Sequence, residues 1–248
     1  MARKIFIATI SLPVVGAVRD GYLQAALSST KADRASGAGG PLPYQGEALL
    51  NFFAGLECSN LLAFCAICEE GGRVAFKRAY GMDEAGRFFT LDHGRNLKDF
   101  WELIATLDAP SDLIVGHGLL RHDLPLFCRM SAVHRQRPMA DLCFGGAGTG
   151  LVFDTEKEWD RGTLGRTPLP SVAKALGLDL TLLDPPLDAP TMYAAFFQGW
   201  HVDLVRLCIA TVKAAREIYY RLTFEMPPEL PASPSWEGVS LPSVDADF

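Results

Sequence analysis

Apolar and polar positions along the chain fall into stretches of two different periods. Residues 4–11 carry apolar side chains on both faces, which predicts a central strand covered on both sides. Residues 61–68 and 73–80 predict two more strands, and the Glu69-Glu70-Gly71-Gly72 link between them is a hairpin signal. A fourth short apolar run covers 113–115. Helical spacing appears at 47–56, through Leu49, Leu50, Phe53 and Leu56. It returns at 97–107, where Leu97, Phe100, Trp101, Ile104 and Leu107 share a stripe. Short helices are predicted over 169–176, with Gly177 as the C-cap, and over 189–198. The longest runs over 201–224, with Val202, Val205, Leu207 or Cys208, Val212, Ile218 and Leu222 available for burial.

Two stretches lack periodicity. Residues 14–45 include the small and polar run Ser36-Gly-Ala-Gly-Gly-Pro-Leu-Pro43 and read as an insertion, partly helical around 20–28. Residues 138–166 are glycine-rich. From Glu225 to Phe248 the chain is proline-rich and reads as an extended tail. A single domain over 1–224 with that tail suits a length of 248 residues.

Composition narrows the function classes. A net charge of −6 argues against broad attraction to phosphate backbones and leaves room only for a local basic cleft. No 18-residue apolar run is present, so no membrane span is predicted. The first apolar run is too short for a secretory signal, and the expectation is a cytoplasmic protein. Cys65 and Cys68 form a Cys-x-x-Cys, but on a strand their side chains would point to opposite faces, which is poor zinc geometry. Buried reduced thiols are the expected state of that pair.

One segment carries specific chemistry: Asp112-Leu-Ile-Val-Gly-His-Gly-Leu-Leu-Arg-His-Asp-Leu-Pro-Leu-Phe-Cys-Arg129. A short strand runs into a glycine-flanked turn, and an amphipathic segment with Asp123 near its start follows. This resembles the second motif of the 3′–5′ exonucleases with a ribonuclease H-like fold. It is most similar to the predicted exonucleases related to the proofreading domain of family B DNA polymerases. Leu169-Pro-Ser-Val-Ala-Lys-Ala-Leu-Gly-Leu178 resembles the family's helix before its last motif, and Met139-Ala-Asp-Leu-Cys-Phe144 an intervening element. The resemblance covers about residues 3–224 and implies a mixed α/β sheet flanked by helices.

The same resemblance implies an active site that has lost its acids. Members of the family hold two metal ions, about 3.5–4 Å apart, with converging carboxylates. Their first strand reads Phe-Asp-x-Glu-Thr-x-Pro, and here Phe6-Ile-Ala-Thr-Ile-Ser-Leu-Pro13 puts Ala8 and Ile10 at the acid positions. Their last helix reads Tyr-Cys-x-x-Asp-Val, and here Leu207 and Thr211 take the tyrosine and acid positions. Asp123 alone is retained.

The expectation is therefore a catalytically degenerate exonuclease-like protein with no metal and no cofactor. It would act as a nucleic-acid-binding or scaffolding subunit. Its ligand would be single-stranded nucleic acid or a protein partner in a nucleic-acid-processing assembly. Arg121, Arg129, Arg135 and Arg137 are the candidate phosphate contacts, with Arg161 and Arg166 nearby. Phe127, Phe144, Phe153 and Trp159 are candidate stacking platforms, or else core. Trp236 and Phe248 would anchor the tail on a partner, unless it wraps the domain's own surface. The alternative is an active exonuclease using Mg²⁺ or Mn²⁺ on non-standard ligands. Asp141, Asp154, Glu156 and Asp203 are then the candidates, with His117, His122 and His201. Each of these also reads as an ordinary surface or turn residue.

Overall fold

The computed structural model describes residues 2–11, 61–82, 88, 93–133, 135, 151–161, 167–178, 195, 200–230 and 236. The expected insertion and the helix at 47–56 lie outside these residues, as do most of the helix at 189–198 and of the glycine-rich stretch.

Strand β1 (Arg3–Ser11) lies at the centre of a five-stranded mixed sheet, as its two apolar faces require. Strands β2 (Leu61–Glu70) and β3 (Arg73–Tyr80) extend the sheet antiparallel on one side. On the other side β4 (Leu113–Gly116) and β5 (Val152–Asp154) run parallel to β1, giving the order β3-β2-β1-β4-β5. The β2–β3 hairpin closes through Gly71 and Gly72, both at positive φ (59° and 75°), as a tight two-residue turn between right-twisted strands demands. The helical stripe expected at 97–107 becomes α1 (His93–Ile104), which starts and ends earlier. Helices α2 (Leu124–Val133), α3 (Thr155–Asp160), α4 (Leu169–Ala175) and α5 (His201–Thr223) follow. None of the helices is long and apolar enough to cross a membrane among the described residues.

Alternation along β1 splits the core in two. Phe6, Ala8 and Ile10 pack under α5 with Leu204, Val205, Cys208, Ile209 and Val212. Ile5 and Ile7 pack on the opposite face with Leu97, Phe100 and Ile104 of α1 and Phe127 and Met130 of α2. Cys65 and Cys68 fall on opposite faces of β2 as free buried thiols. Burial pushes the Cys68 thiol up to about 11. Cys128, on α2, is disulfide-bonded. A third cluster joins α4 to α5, where Ala210, Ala214 and Ala215 allow close approach to Leu169, Val172 and Ala173.

The segment after α5 folds back on the domain. Lys4 pairs with Glu225, the Arg216 guanidinium donates to the Pro228 carbonyl, and Leu230 packs against the core. Trp236 is 2 % exposed within the same cluster as Phe6 and Tyr219. Its use as a docking anchor for a partner is thereby excluded, since the indole is already spent on the domain's own core. Phe248 lies outside the described residues.

One ion pair is fully enclosed. Arg216 of α5 donates through Nε to Glu69 Oε1 of β2 (2.5 Å), and Tyr220 donates its hydroxyl to Glu69 Oε2. Burial and the bond to Glu69 hold the Tyr220 phenol far above its ordinary range, so it stays a donor. A buried carboxylate stripped of its cation is costly. Arg216→Ala is expected to destabilise the fold by about 3–5 kcal/mol in urea denaturation. Replacing Arg216 and Glu69 together by apolar residues of similar volume should recover most of that loss.

Candidate functional site

The Gly116-His117-Gly118 turn is dictated by crowding. A Cβ on Gly116 would sit 2.8 Å from the Ile7 carbonyl oxygen and 2.7 Å from Leu119 Cγ, so β4 can lie this close to β1 only with glycine there. Gly118 has φ +77°, and a side chain on it would point at the Glu156 carboxylate. The turn then enters Leu119–Asp123, one turn of π-helix closed by the Leu124 N–H donating to the Leu119 carbonyl. Asp123 was expected on a regular helix; it ends this π turn, immediately before α2. Such turns carry an extra residue, and here His122 and Asp123, adjacent in the chain, meet side chain to side chain.

Asp154 locks this arrangement. Its buried carboxylate accepts from the N–H groups of Gly118 (2.9 Å), Leu120 (2.9 Å) and Glu156 (3.0 Å). The last of these is the N-cap of α3, so one side chain joins the end of β5, the first turn of α3 and the π turn. His117 adds a second tie. In its neutral form Nε2 donates to the Thr167 carbonyl (2.9 Å), and Nδ1 lies 3.0 Å from Thr155 Oγ1, whose hydroxyl donates to the Gly116 carbonyl. Burial holds its pKa below the ordinary 6.5 against the Thr167 bond and the neighbouring carboxylates Glu156, Asp154 and Asp160.

A cavity of about 310 Å³ opens above these ties, lined by Ala8, Thr9, Arg121, His122, Asp123 and Glu156, with Leu169, Pro170 and Thr211 on the far wall. Asp123, 6 % exposed, accepts at Oδ1 from both Thr9 Oγ1 (2.7 Å) and His122 Nδ1 (2.8 Å). The Glu156 carboxylate lies 3.7 Å from the exposed Arg121 guanidinium. Among the described residues no three His, Cys, Asp or Glu side chains are grouped so as to hold a metal ion.

The residues singled out in the sequence separate clearly. Ala8, Asp123, Thr211 and Arg121 come together in the cavity. Ile10 is instead in the core under α5, and Leu207 packs in the α4–α5 cluster, although Thr211 Oγ1 does bond the Leu207 carbonyl one turn back. Arg135 is exposed just after α2 at φ 53°, and Arg161 is exposed beside Glu158. The Arg129 side chain, Arg137, Arg166, Asp141 and Phe144 lie outside the described residues. Phe127 is no stacking platform, because it is buried with its ring stacked on Phe100. Phe153 leans on Tyr219, and Trp159 packs against the α4–α5 cluster. Asp203 is a surface partner of Arg206, and His201 is buried, accepting from Phe88 N. Thr9, Ser11 and Thr155 went unnoticed in the sequence. Thr9 and Ser11 carry a signal only through parity, since they share the strand face opposite to Ala8 and Ile10.

Two expectations follow from these ties. Asp154→Ala should cost about 3 kcal/mol in denaturant unfolding, and Asp154→Asn roughly half, because an amide keeps one acceptor oxygen. For His117, the folded protein holds the proton less readily than the unfolded chain, so unfolding takes up a proton as pH falls below about 6.5. Stability should therefore decline from pH 7 towards 5, and His117→Gln should flatten that decline in urea titrations at each pH.

Known proteins supply no further identification: no family model, no curated protein and no solved structure matches the chain.

Proposed function

We propose that this is a ribonuclease H-like, exonuclease-type domain whose metal site has degenerated and whose cleft holds single-stranded nucleic acid. The strand order, with an antiparallel hairpin on one side of β1 and parallel strands on the other, supports the fold assignment. The observation that carries the functional reading is the environment of Asp123. Ala8 and Thr211 face the same cavity at positions where the resemblance expects acids, and Asp123 Oδ1 is already engaged by Thr9 and His122. A two-metal centre needs several converging hard oxygen donors, and this set offers one such acid with one oxygen committed. Arg121 supplies positive charge at the cavity mouth for a phosphate. A cytoplasmic setting is part of this reading. The Cys128 disulfide weighs against it, because cytosolic thiols are held reduced.

Glu156 favours a second reading. It lines the cavity with Asp123 and is buried, so an active exonuclease would use it as a non-standard ligand for Mg²⁺ or Mn²⁺. One experiment separates the two. The full chain is incubated with end-labelled single-stranded DNA and RNA, with and without each metal, and both retention and length are followed. The expected outcome is binding without shortening, weakened by salt, with Arg121→Glu lowering the salt slope by about one. Metal-dependent shortening from the 3′ end that disappears in Asp123→Ala and Glu156→Gln would establish the second reading instead. No retention of either polymer at low salt would overturn the nucleic-acid proposal and leave a protein-scaffold role.

A further inference from the structure

Ser11, His122 and Asp123 form a chain of side chains that metal chemistry does not require. Asp123 accepts from His122 Nδ1 at 2.8 Å, and His122 Nε2 lies 3.3 Å from Ser11 Oγ. Asp123 can only accept as a carboxylate, so Nδ1 carries the proton and Nε2 is left to accept from the Ser11 hydroxyl. Thr9 Oγ1 gives the carboxylate a further donor and fixes its orientation. The acid is buried at 6 % exposure while the His122 side chain, 55 % exposed, faces the cavity. Ser11 is 9 % exposed at the end of β1.

Three local irregularities create this alignment. The β1–β2 register shifts between Ile10 and Ser11, Gly118 takes a left-handed conformation, and the π turn brings His122 and Asp123 together. Bulges and π turns recur where a side chain must be re-aimed at a site. A regular helix would not face neighbouring side chains towards one another.

We propose that Ser11, His122 and Asp123 constitute a nucleophilic relay that cleaves small carboxylic esters beside this cavity, which His122 and Asp123 line and which Ser11 adjoins through its contact with His122. The geometry is that of a nucleophile, a base and a residue that orients the base. Ser11 Oγ attacks the ester carbonyl carbon while its proton passes to His122 Nε2. The tetrahedral adduct collapses, breaking the bond to the alcohol oxygen, and the alcohol leaves with the proton from His122. Water then attacks the acyl-serine by the same proton route, releasing the carboxylic acid and restoring the hydroxyl. Ala8, Leu169 and Pro170 give the cavity an apolar wall suited to a short acyl group.

This proposal goes beyond nucleic-acid binding and survives or fails independently of it. The test treats the full chain with a biotinylated alkyl fluorophosphonate and maps the adduct by peptide mass spectrometry. Hydrolysis of p-nitrophenyl acetate is followed in parallel. The expected result is one adduct, on Ser11. Ser11→Ala should abolish it, and His122→Gln should slow it by roughly 10³-fold. His122 is a surface side chain, so that variant also guards against a folding artefact, checked by its circular dichroism melt. An adduct absent from Ser11 in the folded wild-type protein would overturn the proposal, as would labelling of equal rate in His122→Gln.

Discussion

The buried carboxylate of Asp154 is the constraint on which the cleft depends. A charged group with almost no exposure must find donors within the protein, and it finds three backbone N–H groups from two separate segments. Two belong to the turn after β4 and one to the first turn of α3. The π turn is thereby held at one angle to the sheet, and with it the direction in which His122 and Asp123 project. His117 repeats the device with a neutral ring, tying the same turn to Thr155 and to the segment before α4. The candidate chemistry therefore sits on a rigid support, although each of its parts is short.

The sheet supplies the other half of that support. Parallel pairing of β1 with β4 sets the ends of both strands side by side, and glycine at 116 lets the backbones approach. Side chains alternate on β1, so Ala8 and Thr9 face different layers yet both reach the cavity at the sheet's edge. Thr211 enters from α5, which crosses the same face as Ala8. Further along α5, Arg216 and Tyr220 close on Glu69, so the helix is also pinned by a buried ion pair.

An aliphatic side chain in a polar cavity alters more than the charge of a site. An acid at position 8 would draw cations and water into the cavity, whereas Ala8 leaves an apolar floor. Asp123 is satisfied by hydroxyl and imidazole donors. A carboxylate that orients an imidazole is a different instrument from one that coordinates a hard cation, and the surrounding groups determine which it becomes.

How much of this is legible in the sequence depends on the range of the interaction. Strand β1, the Gly71-Gly72 hairpin, the Asp123 segment and the long final helix were readable, because periodicity and turn chemistry are local properties of the chain. The candidate aromatics at 127 and 153 are not assignable by local rules, since burial is settled by what packs above them. Trp236 was ambiguous for the same reason. The π turn escaped notice because its hydrogen bonds differ from those of a helix by a single residue, while the apolar spacing is nearly the same. Asp154 looked like a loop acid, yet its role depends on N–H groups more than thirty residues away. The meeting of Ser11 with His122 bridges 111 positions and needs a register shift between two strands. By itself the sequence determined β1, the β2–β3 hairpin, β4 and the long final helix, but not β5 and α3, which lie in the stretch at 138–166 that lacks periodicity. Tertiary structure alone decided which polar groups meet, because hydrogen-bond partners are chosen by the three-dimensional path of the backbone.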